Sequence, residues 1–326
     1  MAGAGPLTDD AAPLTPTALT PERVLRRLEW RVIRRLDGRL QGDYRTLFRG
    51  NGTDVTDLRE YQPGDDVRHI DWNVTARVDE PYVREYVEDR DVTAWLLLDR
   101  SPSMGFGPVD RRKHLVVAEV AAAVAQILSR GGNRVGAVLF DADVERVVPP
   151  GHGRSQVLRI LEHLLREPAK RVAAPGRRRL RGAPAPVVRP TDLAVPLRAA
   201  LGLVRRRSLV VLVSDFIGEP GWERPLAMLA RRHDVVAIQV VDRREFELPS
   251  AGTMWVEDAE TGEQILVDTD DDAFQSRLRA LAQERQDALT AGARSAGTDL
   301  HVVATDEDLV RALARVAELR RRRAAR

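Results

Sequence analysis

A chain of 326 residues, 43% of them apolar, buries about three quarters of its unfolded surface on folding, which excludes a disulfide-stapled miniprotein and a wholly disordered chain. Cysteine is absent, so disulfides, thiolate metal sites and cysteine nucleophiles are excluded and hydroxyls, carboxylates and histidine are left to carry any chemistry. The 51 cations and 49 acids leave a formal charge of +2, and every cation except Lys113 and Lys170 is arginine, a bias that genome composition explains and that does not by itself call for nucleic acid.

Residues 1–19 are rich in Ala, Pro, Thr and Gly without an apolar period, the composition of a disordered tail. Thr20 can cap a helix with Pro21 in its first turn, and Val24, Leu25, Leu28, Val32 and Leu36 recur at helical spacing as far as Gly38. The remainder of residues 20–91 is polar and turn-rich, with loops at Gly50-Asn51-Gly52 and Gln62-Pro63-Gly64-Asp65-Asp66 between short strands. From Thr93 the pattern changes. Ala94 to Leu98 form a short apolar run ending at Asp99, the signature of a strand buried on both faces.

An α/β alternation follows. It comprises helix 115–128, strands 135–140 and 144–148 joined by a tight turn, helix 156–165, helix 192–204, strand 209–213, a helix around 226–230 and strand 235–240. A hairpin at 254–267, helix 274–291, strand 300–303 and helix 309–319 complete the chain, and the Pro-, Arg- and Gly-rich stretch 168–190 reads as an exposed loop. Six core strands separated by helices predict a doubly wound, mostly parallel six-stranded sheet over residues 92–323, preceded by an N-terminal helix and a small β-rich extension. In such sheets ligands bind outside the carboxyl ends of the strands where the winding reverses, which singles out the strands ending at Asp99 and Asp215. No run of 18 apolar residues and no signal-like start occurs, so the sequence reads as cytoplasmic with no membrane segment.

After the first core strand, Asp99, Ser101 and Ser103 place a carboxylate and two hydroxyls at alternate positions of a tight loop, a hard-oxygen set suited to Mg²⁺ or Mn²⁺. An Asx or Ser turn closing the strand is the simpler account of the same residues. Thr191 precedes a helix, where it could be an N-cap, and Asp215 ends the strand beginning at Leu209, where it could cap a turn. In chain order, Asp-x-Ser-x-Ser, Thr and a strand-end Asp resemble the metal-ion-dependent adhesion site of von Willebrand factor type A domains over residues 93–319. The resemblance implies that Ser101, Ser103 and Thr191 ligate the ion directly, that Asp99 and Asp215 hold it mainly through water, and that an acidic residue of a partner completes the site.

The segment before it carries a longer pattern, Leu58-Arg59-Glu60-Tyr61-Gln62-Pro63-Gly64-Asp65-Asp66-Val67-Arg68-His69-Ile70-Asp71-Trp72, with Arg77 and Arg84 downstream. Together with Asp242-Arg243-Arg244-Glu245 and Glu260-Thr261-Gly262-Glu263 it resembles the domain of unknown function 58 family. That resemblance implies work beside a MoxR-type AAA+ ATPase or its client. The charges of Arg59, Asp65, Asp66, Arg68, Asp71, Arg77 and Arg84 read as an ion-pair network tying the extension to the sheet, with Asp71 and Arg77 buried partners, rather than as a catalytic cluster.

The six histidines lack zinc spacing, no P-loop or dinucleotide fingerprint occurs, and serine at 101 stands where a haloacid-dehalogenase-like phosphatase needs a second carboxylate. Arginine runs at 177–181, 205–207 and 320–323 lack the interleaved aromatics of a single-strand platform, which argues against nucleic acid as a partner. The expected function is a non-enzymatic, Mg²⁺-dependent protein-binding adaptor. A metal-dependent hydrolase using the same ion and a nucleic-acid binder are the alternatives.

Overall fold

A computed structural model describes residues 20–28, 57–62, 67, 70, 72–78, 80–85, 93–107, 111–166, 191–257 and 264–324. The expected tail 1–19, the loop 168–190, the end of the first helix, the hairpin turn at 260–262 and the signature residues Pro63, Gly64, Asp65, Asp66, Arg68 and Asp71 lie outside the described residues.

In chain order the helices are α1 (Pro21–Leu28), α2 (Trp72–Val78), α3 (Lys113–Arg130), α4 (Gly153–Leu165), α5 (Ala194–Leu203), α6 (Glu223–Arg232), α7 (Asp272–Ser295) and α8 (Leu309–Ala324). The strands are β1 (Asp57–Glu60), β2 (Tyr82–Glu85), β3 (Thr93–Asp99), β4 (Arg134–Phe140), β5 (Val144–Gly151), β6 (Leu209–Ser214), β7 (Asp234–Val241), β8 (Thr253–Glu257), β9 (Gln264–Asp268) and β10 (Leu300–Ala304). Six of them form one sheet in the order β10-β7-β6-β3-β4-β5, parallel except for the β4–β5 pair. Two small antiparallel pairs, β1–β2 in the extension and β8–β9, stand apart from it.

β3 lies at the centre, with Leu97 opposite Val138 of β4 and Leu212 of β6. Its side chains alternate between two cores, as the period of a strand requires. Leu96 and Leu98 join α1, α3, α4 and α8 on one face, while Trp95 and Leu97 join α5, α6 and α7 on the other. Each fully buried leucine contributes about 1.5–3 kcal/mol of apolar transfer, and a strand flanked by helices on both faces must be apolar throughout. The five alanines of α3 at 118, 121, 122, 123 and 125 are all buried, so this helix lies close against the sheet.

The differences from the sequence reading have local causes. β5 runs on through Pro149 and Pro150 to Gly151; it is the edge strand, where a proline without an N–H interrupts no ladder on its outer side. Thr191 does not cap α5: Leu193 occupies that position, and the Asp192 carboxylate accepts the Ala194 N–H at 2.8 Å. Thr20 does serve as a cap, its hydroxyl accepting the Arg23 N–H at 3.4 Å. In the extension Tyr61 is half-buried, but Trp72 and Arg77 are exposed on α2. The expectation of a buried ion pair for Arg77 is therefore corrected: its side chain is exposed on α2, whose described packing is against β2. Arg59 and Arg84 fall in β1 and β2, opposite Val83 and Leu58.

Candidate functional site

The winding reverses at β3. From there the chain moves to β4 and β5 on one side and later to β6, β7 and β10 on the other, so the carboxyl ends of β3 and β6 frame the crevice. Asp99 is the last residue of β3, and Asp215 follows the last residue of β6.

Asp99 is buried, with both oxygens engaged. Oδ1 accepts the Ser101 N–H at 2.8 Å, and Oδ2 accepts the hydroxyl of Ser214, which in turn accepts the Phe216 N–H at 3.0 Å. The first bond is the Asx turn that the sequence allows, and it starts the short 3₁₀ turn Pro102–Gly105 that carries Ser103. The Ser101 and Ser103 hydroxyls lie 3.0 Å apart and are buried. Burial, then the nearby charge of Asp215, raise the Asp99 pKa to about 7 against the pull of its Ser214 and Ser101 hydrogen bonds.

Asp215 accepts the Ile217 N–H at 2.9 Å through Oδ1 and the Lys113 ammonium at 2.6 Å through Oδ2. Phe216 between them takes a φ of 58°, a left-handed conformation that costs a non-glycine residue about 1–2 kcal/mol. Its ring packs edge-on to Trp222 with centroids 5.4 Å apart. The loop continues to Gly218, φ +148°, where a Cβ would meet the Thr191 carbonyl oxygen at 2.0 Å, and the Glu219 N–H binds that same oxygen at 2.8 Å. Glycine at 218 lets the loop after Asp215 clamp the backbone of Thr191. All five expected ligand residues are thus buried at this end of the sheet. Asp99, Ser101, Ser103 and Asp215 are linked directly or through Ser214 and the field of one carboxylate on the other, and Thr191 is fixed to the Asp215 loop.

Lys113 is the participant that sequence reasoning missed. It opens α3 fully buried, and its ammonium also donates to Glu245. Burial works against its charge, but Asp215 and Glu245 outweigh burial and raise its pKa above the ordinary lysine value. Burial raises the pKa of Glu245, with Lys113 opposing. Glu245 also accepts the Asp242 N–H at 3.0 Å, while Asp242 accepts the Arg244 N–H at 2.8 Å and the Thr305 hydroxyl at 2.6 Å. This is a capping box that ties the loop after β7 to the loop after β10. The available signal was composition: Lys113 is one of two lysines in a chain that otherwise uses arginine, and a compact point charge on a flexible stem suits a buried slot that a guanidinium fork does not.

The donors gathered here, two carboxylates and three hydroxyls, are of the hard-oxygen kind that Mg²⁺ and Mn²⁺ take; the Ser101 and Ser103 hydroxyls are hydrogen-bonded to each other at 3.0 Å. Asp99, Asp215 and Glu245 against Lys113 leave an excess of two negative charges when all are ionised. Among the described residues no three His, Cys, Asp or Glu side chains gather into a metal cage, so an ion at this place would depend on hydroxyls and water as well as on the two aspartates.

Comparison with known proteins finds relatives of the chain as a whole. An uncharacterized protein of Mycobacterium bovis and one of Mycobacterium tuberculosis are each 38% identical over 298 residues, 91% of this chain and 89% of theirs. Among solved structures, the conserved hypothetical protein BatB of Bacteroides thetaiotaomicron is 13% identical with a TM-score of 0.42, covering 71% of this chain and 98% of that one. An aerotolerance-related membrane protein of Bacteroides fragilis gives 13% and 0.42, with 70% and 99% covered. An uncharacterized membrane spanning protein of Vibrio fischeri gives 17% and 0.23, with 72% and 98% covered. The expectation of a cytoplasmic chain is withdrawn: two of these similar structures bear the names of membrane proteins, which describes those proteins and assigns this chain no compartment. Among the described residues no helix is long and apolar enough to cross a membrane, which by itself fixes no compartment. The family described as "Protein of unknown function DUF58" matches residues 57–288, a span that takes in β1, the Asp99 loop, Lys113, Thr191, Asp215 and Glu245, and the chain belongs to that family.

Proposed function

We propose that the crevice at the ends of β3 and β6 is a Mg²⁺ or Mn²⁺ site of the von Willebrand factor type A kind, and that the protein is a metal-dependent adaptor capturing an acidic residue of a partner protein. Asp99, Ser101, Ser103, Thr191 and Asp215 would hold the ion, whose role when bound is to present positive charge to the partner's carboxylate. The observation that carries this reading is the burial of Asp99 and Asp215 at the carboxyl ends of the neighbouring strands β3 and β6, with Ser101, Ser103 and Thr191 buried at the same end. Burial and, after it, the charge of Asp215 push the Asp99 pKa to about 7, a cost that a bound divalent cation would relieve. The partner class is a MoxR-type AAA+ ATPase or its client, by the family resemblance.

The hydrolytic alternative draws on the near-neutral Asp99, which has the pKa of a general base. Both of its oxygens already receive hydrogen bonds, from Ser101 and from Ser214, which favours a positioning role over proton transfer. Nucleic-acid binding loses support at α8, where Arg320 pairs with Asp234 and Arg322 with Glu318. Calorimetric titration of the purified protein with Mg²⁺ and Mn²⁺, alongside Asp99→Ala, tests the ion site. Capture of the ATPase from the same cell, with and without chelator, tests the partner. Equal ion affinity in the two proteins, or capture indifferent to chelator and to Asp99→Ala, overturns the reading.

A further inference from the structure

α7 is 24 residues long, yet only Gln275 and Ala293 are buried along it. Leu278, Leu281, Ala282, Arg285 and Leu289 recur at the spacing of one helical face. The C-terminal end of that helix packs: a Cβ on Gly292 would lie 3.2 Å from the Trp222 ring. The first turn of the helix is held by buried Gln275, which donates to the Leu248 and Thr269 carbonyls at 2.9 and 3.0 Å, but in the middle of the helix Leu281 is 56% exposed. Beneath it lies a cavity of about 210 Å³ whose opposite wall is Ile217, Val241 and Phe246, and which reaches Asp215 and Glu245. Gln286 on α7 donates to the Gln239 side chain on β7 at 2.9 Å, a polar strut that joins helix and sheet across the space.

The groove also carries a charge. Arg285 lines it, donating to the Phe216 carbonyl at 3.3 Å, and among the described residues no carboxylate forms an ion pair with it. An apolar cavity of about 150 Å³ accepts benzene, so the volume here suits one leucine or phenylalanine side chain. A ligand entering it meets the apolar residues Ile217, Val241 and Leu278, the Gln239 and Gln286 amides, an arginine that has no salt bridge among the described residues, and the Asp215 and Glu245 end of the site.

We propose that the groove between α7 and the carboxyl ends of β6 and β7 receives a leucine or phenylalanine side chain adjoining the acidic residue of the partner. The inference rests on the reading of an ion at Asp215, and it adds what that reading lacks, a means of choosing among acidic segments. The ion and Arg285 select for the carboxylate, while the groove selects for its apolar neighbour.

The test uses the full chain with isoleucine and leucine methyl labels and three blocked pentapeptides with glycine ends: leucine-aspartate-leucine, serine-aspartate-serine and leucine-asparagine-leucine. In Mg²⁺ the first binds about tenfold or more tighter than the serine control, as burial of one leucine side chain requires, and tighter than the asparagine control because, of those two, only it offers the ion a carboxylate. It also shifts the methyl resonances of Ile217, Leu278 and Leu281. Leu281→Arg, at an exposed position that the fold tolerates, removes the preference for leucine and leaves the Mg²⁺ affinity unchanged. Equal binding of the leucine and serine peptides, binding of none, or an unaltered preference in Leu281→Arg overturns the groove while calorimetric Mg²⁺ binding still upholds the ion. Loss of Mg²⁺ binding overturns the ion reading, and with it the proposal as stated. Contacts from residues 167–190 of this chain to the Leu281 methyls would give the groove an internal occupant and overturn it as well.

Discussion

Asp99 and Lys113 set the electrostatics of the crevice in opposite ways. In ion-free protein the fold favours protonated Asp99, since its pKa of about 7 stands above the ordinary 3.8. That contribution is fully present below pH about 4 and is lost as the pH rises through about 7, each tenfold gain in proton affinity on folding being worth about 1.4 kcal/mol. Urea melts in chelator across this window should show wild type losing stability relative to Asp99→Asn by a few kcal/mol. The lowered pKa values of His114, His163 and His233 act with the opposite sign in both proteins and cancel. A flat difference would show that Asp99 ionises freely. Lys113 is the tethered cation that offsets the remaining charge, so Lys113→Met should cost ion-free protein about 3–5 kcal/mol by stranding Asp215 and Glu245. The same change should tighten Mg²⁺ binding about tenfold or more, because ion and ammonium compete for Asp215. An unchanged calorimetric affinity would mean that they do not.

At the level of elements, the sequence disclosed what periodicity and strand ends can disclose. The run Ala94 to Leu98 announced a two-faced strand, and Asp99 and Asp215 were legible as ligand candidates because each ends a central strand. Lys113 was not legible: a lysine at a helix start looks solvated until the ends of β6 and β7 fold over it. Thr191 was legible by its place in the pattern, while its local context suggested a cap that Leu193 provides instead. The extension shows the limit of reading charge. Arg77 lies in the last turn of α2 with its side chain in water, where a cation gains no more than a weak interaction with the helix end. Arg77→Ala should therefore shift the denaturant midpoint by less than about 0.5 kcal/mol equivalent. A loss of several kcal/mol would place Arg77 in a network the sequence pattern implied.

Across the whole molecule, the site is assembled from segments far apart in the chain. The bond from Ser214 to Asp99 spans 115 residues, and those from Lys113 to Asp215 and Glu245 span 102 and 132. None of these contacts can form until β3, β6 and β7 lie side by side, and the loop-closure entropy of that step falls before the contacts reward it. The crevice should therefore be the last part of the fold to form and the first to open. An ion that binds only the native state adds about 2.7 kcal/mol at a hundredfold excess over its dissociation constant. With the site absent from the transition state, that gain falls on the unfolding limb, slowing unfolding about a hundredfold and leaving the refolding rate unchanged. Stopped-flow chevrons with and without Mg²⁺ would show it, and a faster refolding limb would mean that the strand ends meet early. If the proposed ion is bound, the long chain separation of the residues that would hold it would make it a brake on opening rather than a guide to folding, setting how long each molecule stays native once it has folded.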